Sequence, residues 1–84
     1  MKVAVYSLKR ILFEGEAISV TAQTIDGEIT VLSHHRPLVT MLKLGVLKVV
    51  DTKKQEHYMN LSSGFLEVNT ENQVKVLADE AVMA

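Results

Sequence analysis

Three histidines are the residues best suited to site chemistry in this 84-residue chain, and they raise the hypothesis of a metal site. His34 and His35 are adjacent, and His57 follows further along. Imidazole nitrogens bind zinc and related ions, but neighbouring residues of a strand point to opposite faces, so the adjacent pair could share one ion only from a loop. A histidine that braces a loop or contacts a partner is the simpler interpretation. We therefore expect no metal site, and a loop or interface role for His34 and His35.

Nucleophilic and phosphate-binding chemistry also lacks its usual residues. The chain has no cysteine, which excludes a disulfide framework, a thiolate zinc site and a cysteine nucleophile. The segment Ser62-Ser63-Gly64 is typical of a turn, and no Gly-x-Ser-x-Gly elbow occurs. The four glycines stand too far apart for a phosphate-binding loop. We expect no catalytic residue, no cofactor and no enzymatic activity in this domain.

The charge balance and the apolar pattern exclude two classes of partner. Nine basic residues face ten acidic ones, for a formal charge of −1, so the chain lacks the basic footprint of a nucleic-acid binder. No apolar run reaches the roughly 18 residues that a membrane span requires. The length corresponds to a single small domain. These observations predict one soluble domain over residues 1–84, with no nucleic-acid binding and no direct membrane insertion.

Lys53 and Lys54 occupy a polar segment that two interpretations fit. Small β-sandwich carrier domains present a lysine at a hairpin tip for biotin or lipoate, which makes a free-standing carrier or binding module the alternative function. Carrier lysines have a defined acidic and apolar context, whereas here Thr52 and Gln55 are the flanking residues. A solvated charged turn is therefore the favoured interpretation.

The elements that must position these residues are strands. The chain holds 12 valines, 4 isoleucines and 6 threonines, whose branching at Cβ suits a pleated surface. Apolar and polar residues alternate with a period of two, which places one face of each strand in a core and the other towards water. The clearest alternations include Val3 and Val5, Ile18 and Val20, Ile29 and Val31, Leu47 and Val49, Leu66 and Val68, and Val74 and Val76.

Turn residues divide these strands at short intervals. Asp26-Gly27 predicts a tight hairpin between strands over about residues 16–24 and 28–32. The polar run 51–55 predicts a second hairpin. Short strands at this spacing favour an all-β fold, a two-sheet antiparallel β-sandwich or flattened barrel of about ten short strands. The alanine-rich end, which begins with Asp79 and Glu80, predicts the start of a short C-terminal helix.

Four segments in one uninterrupted order resemble the epsilon subunit of F-type ATP synthases. Arg10–Gly15 leads into a serine- and valine-containing strand, and Gly27–Gly45 contains Gly-Glu, then His-x-Pro-Leu, then the start of a Leu-Lys-x-Gly-x-Leu strand that ends at Leu47. Leu61–Val68 and Val74–Ala81 match the segments that close the family's β domain. The resemblance covers nearly the whole chain. It departs at Ser33-His34, where the family commonly has Pro-Gly, and nothing here matches the family's two C-terminal helices.

The resemblance implies a fold and a role. The family's N-terminal domain is a two-sheet β-sandwich at the foot of the central stalk, where it binds the gamma subunit and rests on the ring of c subunits. The domain then serves as a non-catalytic rotor part that couples ion-driven rotation of the c ring to gamma during ATP synthesis. It implies a peripheral position on the cytoplasmic face of the bacterial inner membrane, within a hetero-oligomeric complex.

The resemblance also assigns two sets of interface residues. Glu28 matches an acidic position on the loop that faces the polar loops of the c ring, where a charge-assisted contact is expected. The residues expected at gamma are Ser7, His35 and Thr40, together with the apolar Leu38 and Leu42 that share a face with Thr40, and Met41 and Leu44 are expected to extend this patch. A bracing histidine remains the alternative for His35, and an ordinary exposed carboxylate the alternative for Glu28.

Overall fold

The computed structural model describes residues 1–84, which form nine strands and no helix. No helix in it is long and apolar enough to cross a membrane. The strands are β1 Lys2–Ser7, β2 Ile11–Thr24, β3 Gly27–Leu32, β4 Leu38–Leu42, β5 Gly45–Asp51, β6 Glu56–Leu61, β7 Gly64–Val68, β8 Gln73–Ala78 and β9 Ala81–Met83.

The long strand β2 belongs to both layers of the sandwich. Residues 11–16 pair with β1, and β8, β7 and β4 follow in that order to complete sheet one. Residues 17–24 pair with β3 on one side and β5 on the other, and β6 and β9 complete sheet two. The register shifts between Ala17 and Ser19, where β2 passes from one sheet to the other. At its end Thr24 pairs with Leu42 of β4, which closes the structure.

Alternate residues of both sheets point into one shared core of 18 buried apolar side chains. Burial of a valine or leucine side chain contributes about 1.5–3 kcal/mol to folding. Valine is the commonest residue of this core, at eight of its 18 positions. The side chains buried below 2% exposure include Val3, Val5, Val20, Val31, Leu47, Val49, Met59, Leu66, Val74 and Val76.

The all-β sandwich is confirmed, and so is the hairpin at Asp26-Gly27. Gly27 has a φ of +117°, a conformation that favours glycine, and Thr24 and Gly27 pair at the base of the turn. The buried Thr24 hydroxyl donates to the Gly27 carbonyl at 2.7 Å and accepts from the Asp26 amide at 3.1 Å. The turn is therefore fixed by its own side chains as well as by the flanking strands.

Three details differ from the sequence-based expectation. The structure has nine strands where about ten were expected, and β1 and β8 pair in parallel within an otherwise antiparallel arrangement. The predicted C-terminal helix is wrong, because residues 81–83 form β9 on β6 instead. Without β9 the backbone groups of Met59–Leu61 on this edge of β6 would lack strand partners, whereas an isolated helical turn is unstable. The preceding turn is held by Ser62, whose hydroxyl accepts from the Glu80 amide at 2.9 Å.

Candidate interaction surfaces

The outer face of sheet one carries a continuous row of large apolar side chains across five strands. The strand registers place these residues side by side, and we call the set the apolar row: Met41, Phe65, Leu77, Tyr6 and Ile11. Phe65 is 51% exposed and Met41 49%. Apolar side chains that are scattered singly need no explanation, but a contiguous row of this kind marks an interaction surface.

A shallow depression lies beside the apolar row. It encloses about 280 Å³ and is lined by Tyr6, Val39, Phe65, Glu67, Lys75 and Leu77. Glu67 and Lys75 are cross-strand neighbours on β7 and β8, so the apolar floor has a charged border. The surface therefore combines an apolar centre with polar groups at its edge, as protein interfaces do.

The outward face of strand β4 is not the face that the sequence suggested. Leu42 is only 3% exposed and belongs to the core, so the expectation that it contacts a partner is wrong. Leu38 and Thr40 are half-buried on the same inward side. Met41 lies on the opposite, outer face from Thr40, together with Val39, which the sequence analysis did not name and which is 67% exposed. Both faces of β4 are apolar in sequence, so alternation alone could not identify the inner one.

Ser7 and His35 lie at opposite ends of sheet one. Ser7 closes β1 beside Ala78, while His35 precedes the start of β4 at Leu38. The five residues Leu38–Leu42 span four steps of strand, or about 13 Å. The two residues therefore do not meet, and only a partner that spans the sheet could contact both.

Hydrogen bonds fix the loop that carries His34 and His35. His34 has a φ of +65°, and its amide donates to the Asn72 side-chain oxygen at 2.6 Å. The Asn72 side-chain amide donates in turn to the Ser33 hydroxyl at 3.0 Å. The His35 ring donates from Nδ1 to the Arg36 carbonyl at 2.7 Å. Both histidines are exposed, so the loop presents them to solvent while its backbone is anchored to the β7–β8 turn.

The outer face of sheet two carries polar side chains that bind one another, beside the exposed apolar Leu32, Val46 and Val82. The Thr21 and Thr30 hydroxyls are 3.0 Å apart, and the Gln23 side chain donates to Glu28 Oε1 at 2.8 Å. The Tyr58 hydroxyl donates to the Glu56 carboxylate, and this bond raises the pKa of the tyrosine. A shallow concavity of about 430 Å³ on this face is lined by Thr21, Gln23, Glu28, Thr30, Val46, Lys48 and Tyr58.

Asp51 organises the β5–β6 hairpin that carries Lys53 and Lys54. Its Oδ1 accepts from the Lys53 and Gln55 amides at 2.8 and 3.0 Å, and its Oδ2 lies 2.8 Å from His57 Nε2. The hydrogen bond to His57, followed by those from the turn amides, lowers the pKa of Asp51. Both lysines are exposed at a turn that this carboxylate holds in shape.

His57 also links the two sheets. Its ring lies 5.1 Å from that of Phe13, centroid to centroid, at an interplanar angle of 58°. Phe13 lies on the first half of β2 and packs against the core. No group of three histidine, aspartate or glutamate side chains is arranged to hold a metal ion. The contacts of the His57 ring are with Asp51 and Phe13.

Comparison with known proteins gives consistent matches along the whole chain. The ATP synthase epsilon chain of Dichelobacter nodosus is 36% identical over 83 residues, which cover 99% of this chain and 57% of that protein. The epsilon chain of Chromobacterium violaceum is 41% identical over 83 residues, covering 98% and 59%. The chain therefore spans less than two thirds of the length of these relatives.

A solved structure matches equally well in three dimensions. A chain of the Euglena gracilis mitochondrial ATP synthase, in an assembly of OSCP, F1 and the c-ring, superposes with a TM-score of 0.89 at 27% identity. The match covers 96% of this chain and 51% of that one. Residues 1–84 also match, as a whole, the family described as the beta-sandwich domain of the ATP synthase Delta/Epsilon chain. The chain accordingly belongs to the ATP synthase delta/epsilon β-sandwich family.

Proposed function

We propose that this chain is a non-catalytic subunit of the central stalk of a rotary F-type ATP synthase, where it couples the c ring to the gamma subunit. The observation that carries the proposal is the contrast between its two outer faces. One carries the continuous apolar row, and the other carries hydrogen-bonded polar side chains that include the Glu28 carboxylate. A rotor part held between two different partners needs two such surfaces. Family membership and the assembly of the Euglena neighbour support this assignment.

The gamma subunit is assigned to the outer face of sheet one. The apolar row supplies the buried area that such a contact requires, and Val39 extends it. Ser7 lies at one end of this face, and the loop of His35 lies at the other end. A single broad partner can therefore contact both. Leu38 and Thr40 lie half-buried beneath Val39 and would contribute at the margin.

The c ring is assigned to the face of sheet two through Glu28. This carboxylate forms no ion pair within the chain, so its charge is available to a cationic group on a partner. The proposal includes one domain over residues 1–84 and a peripheral place on the cytoplasmic face of the bacterial inner membrane. Contact with the ring is through its polar loops, without insertion into lipid.

Cysteine cross-linking in the assembled complex tests both assignments, because the chain has no cysteine of its own. We expect Met41→Cys to cross-link to gamma and Glu28→Cys to the c ring, each with a cysteine introduced in that partner. Lys54→Cys, exposed at the β5–β6 hairpin, is the control and should cross-link to neither. Exchange of the two partners, or no product at either position, would overturn the assignment of faces.

A second test measures binding to gamma directly. Phe65→Asp places a charge in the middle of the apolar row and should weaken gamma binding by at least about tenfold. Val46→Asp is the matched control, since Val46 is 45% exposed on the opposite outer face and Phe65 is 51% exposed. Equal losses from both variants would contradict the assignment of gamma to sheet one.

The alternative of a carrier module makes a separate prediction. It requires a covalent group on Lys53 or Lys54. Intact mass measurement after co-expression with biotin and lipoate ligases decides the matter, and we expect the unmodified mass. An added biotinyl or lipoyl mass would favour the carrier function over the rotor function.

A further inference from the structure

The side chain of Gln23 lies directly against Glu28. The two residues are cross-strand partners on β2 and β3, and Gln23 Nε2 donates to Glu28 Oε1 at 2.8 Å. A free glutamate at a strand start samples several rotamers, and fixing one of them carries an entropic cost. The hydrogen bond from Gln23 restricts the Glu28 rotamers already in the unbound chain, so less conformational entropy is lost when a partner binds. Because its amide is neutral, it orients the carboxylate without cancelling the charge.

Gly45 makes room for this arrangement. A Cβ added at Gly45 would lie 2.8 Å from Gln23 Cγ, which is closer than such atoms approach, and 3.2 Å from Gln23 Cβ, which is tighter than most such contacts. Gly27 is the one glycine with a positive φ, so the backbone at Gly45 does not itself demand glycine. The main chain of Gln23 is held at the same place, because its carbonyl accepts from the Lys43 amide at 3.1 Å. The missing side chain at Gly45 therefore leaves the space that the stem of Gln23 occupies.

We propose that Gln23 is a positioning residue, which rests over Gly45 and holds the Glu28 carboxylate ready for a cationic group on the c ring. The inference rests on the proposed contact between Glu28 and the c ring, and it gives Gln23 and Gly45 roles that the family resemblance does not assign. Preorganisation of this kind strengthens binding because less side-chain conformational entropy is lost when the two proteins associate.

The experiment compares the affinity of four variants of the whole chain for a detergent-solubilised c ring from the same organism. Gln23→Leu keeps the stem but removes the donor, and Gly45→Ala keeps the donor but displaces the stem. Each should weaken binding by about three- to tenfold at low salt, with a smaller effect at high salt. Glu28→Gln should weaken it at least as much. Gly15→Ala is the control, because an added Cβ there meets only Phe13 Cζ at 4.0 Å, and it should change nothing.

A double-mutant cycle separates positioning from a merely structural role. In a Glu28→Gln background, Gln23→Leu should cause no further loss, whereas a structural role for Gln23 would still weaken binding. If Glu28→Gln weakens binding while Gln23→Leu and Gly45→Ala do not, the positioning role is wrong and the c-ring contact stands. If Glu28→Gln has no effect, the proposed contact itself is wrong, and the positioning role falls with it. Urea unfolding of each variant confirms that the fold is intact.

Discussion

The two outer faces of the sandwich cover one core, but they differ in whether their exposed side chains have partners within the chain. On sheet two, polar residues are paired with one another, as in Thr21 with Thr30 and Gln23 with Glu28. On sheet one, four of the five members of the apolar row have no hydrogen-bonding group, and their area faces water. The polar pairs of sheet two are satisfied within the chain, whereas the apolar row of sheet one is left exposed to water. The difference shows that strand alternation specifies the inside of a sandwich and leaves the outside free for function.

The largest expected effect separates two neighbouring residues of β7. Leu66 is fully buried, so Leu66→Ala should lower the free energy of unfolding by about 2–5 kcal/mol. Phe65 is half exposed, so Phe65→Ser should change it by no more than about 0.5 kcal/mol while it weakens gamma binding. Urea unfolding measures both. A large loss of stability in Phe65→Ser would mean that the apolar row serves the fold and not a partner.

The next effect compares a glycine from each sheet. A Cβ at Gly64 would overlap the Leu77 carbonyl oxygen and lie 2.7 Å from the Ala78 Cα, so Gly64→Ala must displace the backbone pairing of β7 and β8. We expect a loss of about 1–3 kcal/mol. The closest contacts of a Cβ at Gly45 are with the stem of the Gln23 side chain, which can shift more readily than paired backbone, so Gly45→Ala should cost less. Thermal unfolding of both checks this, and similar losses would contradict the distinction between backbone and side-chain contact.

A smaller effect concerns the β5–β6 hairpin of sheet two. Because the hydrogen bond to His57 lowers the pKa of Asp51, the ionised Asp51 carboxylate stabilises the fold at pH values above 3.8, which is the ordinary pKa of an aspartate. That contribution is lost as the pH falls from there through the lowered pKa. Asp51→Asn should therefore lower stability at neutral pH and remove this part of the acid dependence. Urea midpoints at several pH values measure it, with Asp26→Asn as the control, since the Asp26 carboxylate accepts no hydrogen bond. An unchanged acid dependence in Asp51→Asn would contradict the assignment.

The smallest effect is expected from the threonine pair on sheet two. Thr21→Val and Thr30→Val together remove an exposed hydroxyl contact and retain the β-branched shape. Stability should change by no more than about 0.5 kcal/mol, and gamma binding should be unaffected. Weakened gamma binding would instead place gamma on sheet two.

The sequence predicted the all-β sandwich and the Asp26-Gly27 hairpin because alternation and turn residues act locally. It did not predict the parallel pairing of β1 with β8, since 65 residues separate Ser7 from the start of β8 at Gln73. It misassigned Leu42 because both faces of β4 are apolar. The support of Glu28 by Gln23 could not be predicted either, because it depends on the register of β2 and β3 and on the space above Gly45.

The passage of one strand through both sheets has a mechanical consequence. The two halves of β2 are continuous, so a tangential load applied to one face reaches the other through covalent backbone as well as through side-chain contacts. For the two layers to slide past each other, the backbone hydrogen bonds of β2 with β1 and those of β2 with β5 would have to break together. These pairings lie on either side of the register shift between Ala17 and Ser19. A sandwich of separate sheets joined only by loops would be more compliant in shear. The stiffness of this domain against twist should therefore depend on β2 more than on any other strand.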